Sequence, residues 1–281
     1  MKHILVPTDF SENAYQALIY ATRLFENNPC TIHILHSMEV QASRLTSRVD
    51  AGRSEQVFDD LYDEADRKCE EVKARLIEDT PGCGHTFDVI STAMSLTRAL
   101  NRICAQREVD LVVMSTKGQT GAKEVIMGSN AVKVIKKIRK IPVLIIPPNT
   151  TFEPIKRIVF PTAFDRPYDP ADLDELLFLA KLHDSEIKII HIREDNSTND
   201  NQRMNLDSLM QMMADVTCDV EWLELGDSLT ATINRYVAEQ NGDLLAIIYY
   251  KHNFIVQLFR ESVVKKIGRS PATPYLVIPA N

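Results

Sequence analysis

The sequence predicts an α/β protein: two tandem doubly wound domains, each with a five-stranded parallel sheet in the order 3-2-1-4-5, packed as a pseudo-twofold pair. Three observations predict it. A set of phrases occurs twice along the chain in the same order. Within each copy, short apolar runs alternate with helix-length amphipathic stretches, the signature of βαβ units. The repeat is roughly 140 residues long, far beyond a solenoid unit and the size of a domain.

The paired phrases fix the order of elements. "HILVPTDFS" at residue 3 returns as "RIVFPTAFD" at 157: an apolar run, a proline, then turn and capping residues. A helix-period stretch follows in each copy, with Ala14, Ala17, Leu18, Ala21, Leu24 and Phe25 in the first and "DELLFLAKLHDS" in the second. Next come "TIHILHSME" and "EIKIIHIRE", which place His36 and His191 at matching points. "DLVVM" at 110 is echoed by "DLLAI" at 243, and "IPVLIIP" at 141 by "TPYLVIP" at 273.

Strands are therefore expected at 3–6, 31–36, 86–90, 110–114 and 142–146, and again at 157–160, 186–192, 219–225, 243–248 and 274–278. The proline-rich "PPNTTFEP" at 147–154 serves as linker, giving domains of 1–149 and 150–281. "EDNSTNDNQR" at 194–203 has no apolar residue and is expected to be a mobile loop; 40–56 is expected to be a polar lead-in to a helix carrying Val57, Leu61, Ala65, Cys69 and Val72. By the inferred order the last strands, "PVLIIP" and "PYLVIP", are apolar edges, which recruit another strand; each is expected to cover the other antiparallel.

Composition excludes several classes. The chain has 281 residues, 44% of them hydrophobic, enough for each half to bury its own core. Its net charge of −7 argues against nucleic acid, which is held by clustered Lys and Arg. The longest apolar runs are far shorter than the roughly 20 residues of a membrane span, and a strand-like run follows Met1 where a signal peptide would sit. A cytoplasmic protein without a membrane partner is expected. Cys30, Cys69, Cys83, Cys104 and Cys218 are scattered, without CxxC or metal-ligand spacing, so reduced structural thiols and no metal site are expected.

"MSTKGQTGAKEVIMGSNAVK" at 114–133 holds three of the nine glycines. It follows the fourth strand and leads into a helix beginning near Ser129, so Gly128 and Ser129 stand where unpaired amides favour an anion. Gly118 and Gly121 let the backbone bend around a bulky group. The spacing is neither GxxxxGK[ST] nor GxGxxG. If the strand order is 3-2-1-4-5, it reverses between strands one and four, and ligands lie beyond the carboxyl ends there. Strand one ends at "PTD", so Asp9 faces the glycine loop, with Thr8 beside it and Ser37 at the end of strand two near enough to meet a base. Asp9 or Ser11 alone would be read as a helix cap; opposite a glycine loop, Asp9 is read as a ligand for a ribose or a phosphate-bound metal.

Strand–"PTDFS"–helix, "ILH" on the second strand, and Gly118-x9-Gly128-Ser129 followed by a helix and "PVLIIP" resemble the universal stress protein family in its tandem two-domain form. The resemblance covers nearly the whole chain. It implies a loop binding ATP, AMP or another adenine nucleotide, with Mg if ATP, and assigns the site to Pro7, Thr8, Asp9, Ser37, Met114, Ser115, Gly118, Gly128, Ser129 and Asn130. Ser115 stands where the family has its first glycine and adds a Cβ there.

Copy two departs further. Ala163 replaces Asp9, and the loop "YYKHNFIVQLFRES" has Arg260 and Glu261 in place of Gly128 and Ser129. Its Tyr249, Tyr250, His252, Phe254 and Phe259 are expected to fill a collapsed pocket and the interface with copy one, or to meet a protein partner. Asp227 or Ser228 is expected to cap a helix. Met204, Leu206, Leu209, Met210 and Met213 form a stripe expected to be core or interface. Lys133, Lys136, Lys137 and Lys140 form a solvated helix face. His36 and His191 are expected to be hydrogen-bonded structural residues, since neither has a Ser or Cys partner in an elbow motif; no catalytic residue is assigned. Two functions follow: a regulatory module holding nucleotide in copy one, at most hydrolysing ATP slowly, or a scaffold of the same fold that binds none.

Overall fold

In the computed structural model, residues 1–46, 54–116, 128–193, 198–250 and 273–280 are described. Their contacts divide them into two units, one from Met1 to Ile141 and the other from Pro142 onward. Among the described residues, no helix is long and apolar enough to cross a membrane.

The first unit begins with β1 (His3–Thr8), fully buried from Ile4 to Val6. A turn leads to α1 (Glu12–Leu24), where Ser11 accepts the Ala14 amide as N-cap. The 3.6-residue period puts Ala14, Ala17, Leu18, Ala21 and Leu24 on one buried face. Then come β2 (Thr31–Ser37), α2 (Glu39–Thr46), α3 (Ser54–Asp79), β3 (Thr86–Thr92), α4 (Leu96–Gln106), β4 (Leu111–Ser115) and α5 (Ser129–Lys137). β1 lies between β2 and β4, and β3 is outside β2, all parallel. The expected order is thus present from strand three through strand four. α2 corrects part of the expected lead-in at 40–56: Met38 and Ala42 are buried, and Met38 donates its amide to Thr92 O at 2.9 Å, anchoring a turn that the polar composition concealed.

The second unit contains β5 (Val143–Ile146), β6 (Arg157–Pro161), α6 (Pro170–His183), β7 (Glu186–Arg193), α7 (Asp200–Met212), β8 (Cys218–Glu224), α8 (Leu229–Glu239), β9 (Leu244–Tyr249) and β10 (Tyr275–Pro279). Its parallel strands run β8-β7-β6-β9-β10, which is 3-2-1-4-5 in full. β5 pairs with β10 antiparallel, setting Ile145 opposite Tyr275, Leu144 opposite Leu276 and Val143 opposite Val277. The two apolar edges cover each other as expected, so by contacts β5 goes with the second unit. α7 corrects part of the expected loop at 194–203. Its start is a capping box, with Asn199 accepting the Gln202 amide while the Gln202 side chain accepts the Asn199 amide. Polar residues here make a helix end.

Candidate functional site

Parallel pairing brings the carboxyl ends of β1, β2 and β4 to one level of the sheet. Leu5 is opposite Val112, and Thr8 opposite His36. Three residues beyond Leu5 and Val112 both strands stop, at Thr8 and Ser115. Chains leaving in opposite directions open a crevice there.

The β1 side is locked by short-range hydrogen bonds. Thr8 Oγ1 accepts the Phe10 amide at 3.0 Å, and Asp9 Oδ1 accepts both the Ser11 amide at 3.1 Å and the Ser11 hydroxyl at 2.5 Å. Phe10 takes φ 64°, a left-handed conformation that costs a non-glycine residue about 1–3 kcal/mol. Its ring lies 4.3 Å from that of His36, whose Nδ1–H donates to Thr8 O at 2.9 Å. Burial pushes His36 below the usual histidine range; the hydrogen bond to Thr8 O and the Asp9 charge oppose that, and Lys68 adds to it. His36 is a neutral structural donor, as expected, and it holds the carboxyl end of β1.

Ser37 donates its hydroxyl to Met94 O at 2.8 Å. Its side chain fastens β2 to the chain after β3. Pro7 and Thr8 are buried at the end of β1, Met114 is buried and Ser115 half-buried at the end of β4. Gly118 and Gly121 lie outside the described residues.

On the β4 side, the Gly128 amide donates to Thr116 O at 2.6 Å. Gly128 is the N-cap of the nine-residue α5; among the described residues no side chain caps it, and its first turn has no acidic residue. Ser129 and Asn130 are exposed there. Thr116 is buried, yet among the described residues its Oγ1 has no hydrogen-bond partner. An open helix start beside an orphaned hydroxyl has unmet donors, which suit a phosphate group.

The second unit builds the same turn and then blocks it. Phe164 has φ 57°, its amide faces Thr162 Oγ1 at 3.4 Å, and His191 Nδ1–H donates to Thr162 O at 2.9 Å. The phenylalanine of "PTDF" and "PTAF" is therefore a paired turn device that sequence reading missed; its recurrence in both phrases was the signal. Where Asp9 has its counterpart, the Ala163 carbonyl accepts from Gln202 Nε2 at 3.0 Å, and Phe164 O accepts from Asn205 Nδ2 at 2.7 Å. Trp222 packs on His191 and Phe164, and Tyr168 OH meets Thr162 Oγ1 at 2.5 Å. Residues 251–272, with His252, Phe254, Phe259, Arg260 and Glu261, lie outside the described residues. Ser228 caps α8 by accepting the Ala231 amide. Met204 is exposed, so the expected Met/Leu stripe is core at Leu209 and Met213 only.

The sequence profile described as the universal stress protein family matches residues 1–147, just over half the chain. The chain belongs to that family. It is 31% identical over 157 residues to a universal stress protein of Methanocaldococcus jannaschii, a match covering 52% of this chain and 94% of that protein. Across both units, the solved structure of a universal stress protein from Archaeoglobus fulgidus covers 99% of this chain and 96% of its own, with TM-score 0.64 and 20% identity. The cytoplasmic domain of a prokaryotic cation chloride cotransporter covers 98% and 94%, with TM-score 0.54 and 8% identity. At such identities the likeness is one of fold, which this family shares with domains of other roles.

Proposed function

We propose that this universal stress protein binds ATP or a related adenine nucleotide in the crevice of its first unit and acts as a regulatory, non-catalytic module. The observation that carries the reading is the uncapped start of α5 beside the orphaned Thr116 hydroxyl. The phosphates would rest on the amides of Gly128, Ser129 and Asn130, with Asp9 at the ribose and the end of β2 near the base. Mg would ride on the phosphate oxygens: among the described residues no group of three His, Cys, Asp or Glu could hold a metal. The domains are read as 1–149 with the site and 150–281 without it, in a cytoplasmic protein whose protein partner responds to occupancy.

Calorimetric titration of nucleotide-stripped protein with Mg-ATP, AMP and a cyclic nucleotide tests this. Saturable binding of an adenine nucleotide at one site per chain is expected; no heat with any of the three refutes it. A second reading, a scaffold without nucleotide, is favoured by the second unit, where Gln202, Asn205 and Trp222 occupy the corresponding turn.

A further inference from the structure

A cleft of about 510 Å³ beside the carboxyl end of β3 is lined by Thr92, Ser95, Arg98, Arg102, Glu39 and Tyr62. Arg98 and Arg102 are four residues apart on α4 and share a face. Among the described residues neither guanidinium has an ion pair or hydrogen bond, in a chain with more carboxylates than cations. Glu39 lines the same cleft and, among the described residues, pairs with neither. The placement of Arg98 is costly by itself. Helix first turns favour acidic residues, yet α4 has none there and carries Arg98 instead, while the Ser95 side chain makes no capping bond. Arg98 thus adds an unneutralised cation to the positive end of α4, with Arg102 one turn further along the same face.

We infer that this cleft is a second ligand site, taking a small phosphomonoester that also carries an amine or hydroxyl. Two planar forks match a tetrahedral oxyanion, and Ser95 adds a hydroxyl beside them. Glu39 in the same lining accepts from the ligand's own donor. The volume lies within the range of small-molecule sites and exceeds what a bare phosphate fills. The cleft is fastened to β2, because Met38 donates to Thr92 O and Ser37 to Met94 O, while the Tyr62 hydroxyl accepts the Ala93 amide at 3.2 Å. The inference does not depend on the nucleotide reading.

The test uses the full chain, isotopically labelled, titrated with O-phosphoethanolamine and with inorganic phosphate while amide resonances are followed. Saturable shifts at Thr92 to Arg98 are expected, with O-phosphoethanolamine binding more tightly than phosphate. Arg98→Gln with Arg102→Gln, both exposed, should weaken it by about tenfold or more. Glu39→Gln should narrow the preference over phosphate, and Gly128→Val should leave the response intact. Absent or non-saturating shifts there, equal affinity for both probes, or an unchanged response in the double variant would overturn the site.

Discussion

Gly128 N–H and Thr116 O meet at 2.6 Å, and this bond sets the start of α5 against the end of β4. It is the geometric condition for the proposed phosphate site: the first-turn amides of a nine-residue helix are held beside the point where two strands part.

A branched side chain at Gly128 would stand where the proposed nucleotide's phosphates are to lie. Gly128→Val is expected to abolish nucleotide binding in calorimetry while leaving the thermal transition in place. Ser129→Ala should weaken it by about 1 kcal/mol, or up to about 3 if the lost bond is to a charged oxygen. Wild-type affinity in a folded Gly128→Val protein would show the site to be misassigned.

The Ser11 side chain does two things, capping α1 and donating to Asp9. Ser11→Ala should cost about 1 kcal/mol of stability and also loosen the Asp9 carboxylate. Urea unfolding of the variant checks the first; no change in midpoint would contradict it.

Burial depresses His36 in the folded protein, and also His33 and His85. A histidine whose folded value lies below its unfolded value of about 6.5 binds protons more readily when unfolded, so its stability is complete above that pH and is lost as pH falls below it. The urea midpoint should drop between about pH 7.5 and pH 5.5. His36→Asn keeps a donor for Thr8 O without titrating and should flatten the drop; a steeper one would contradict the assignment.

Burial pushes the Cys30 and Cys104 thiols up to about 12, and Cys69 is buried too. A thiol reagent on the native protein should label only the half-exposed Cys83 and Cys218, and all five cysteines once denatured. Fast native labelling of Cys30 would count against its burial beside His85, whose Nδ1 accepts the Cys30 amide at 3.2 Å.

Asn205 is buried with its amide on Phe164 O. Asn205→Ala leaves that carbonyl unmet and should destabilise the second unit by about 1–3 kcal/mol. Trp222 is the only tryptophan in the chain and packs against the same phenylalanine, so its fluorescence reports the loss directly.

The pairing of β5 with β10 predicts the behaviour of a shortened chain. Residues 1–149 expressed alone would present Val143–Ile146 without its antiparallel neighbour and should self-associate. A stable monomer by sedimentation would argue against that edge being adhesive.

The sequence by itself determined the α/β class, the doubled order of elements, each described strand to within one residue at its start, a helix cap at Asp227 or Ser228 and the structural role of both histidines, because hydrophobic period and turn chemistry are local; the structure places the cap at Ser228. It also located the start of α5, through Gly128 and Ser129. Only tertiary structure decided that the polar stretch after β2 becomes a helix, since α2 depends on Met38 reaching Thr92; α7 starts on a local Asn199-x-x-Gln202 capping box, a signal that apolar patterning passes over. Tertiary structure likewise decided that Phe10 and Phe164 take left-handed turns against a histidine one strand away, and that Gln202 and Asn205 close the second turn. Such bonds join residues about 30 to 40 positions apart, and a carbonyl's partner is set by which strand the chain brings beside it, a fact no short window of sequence contains.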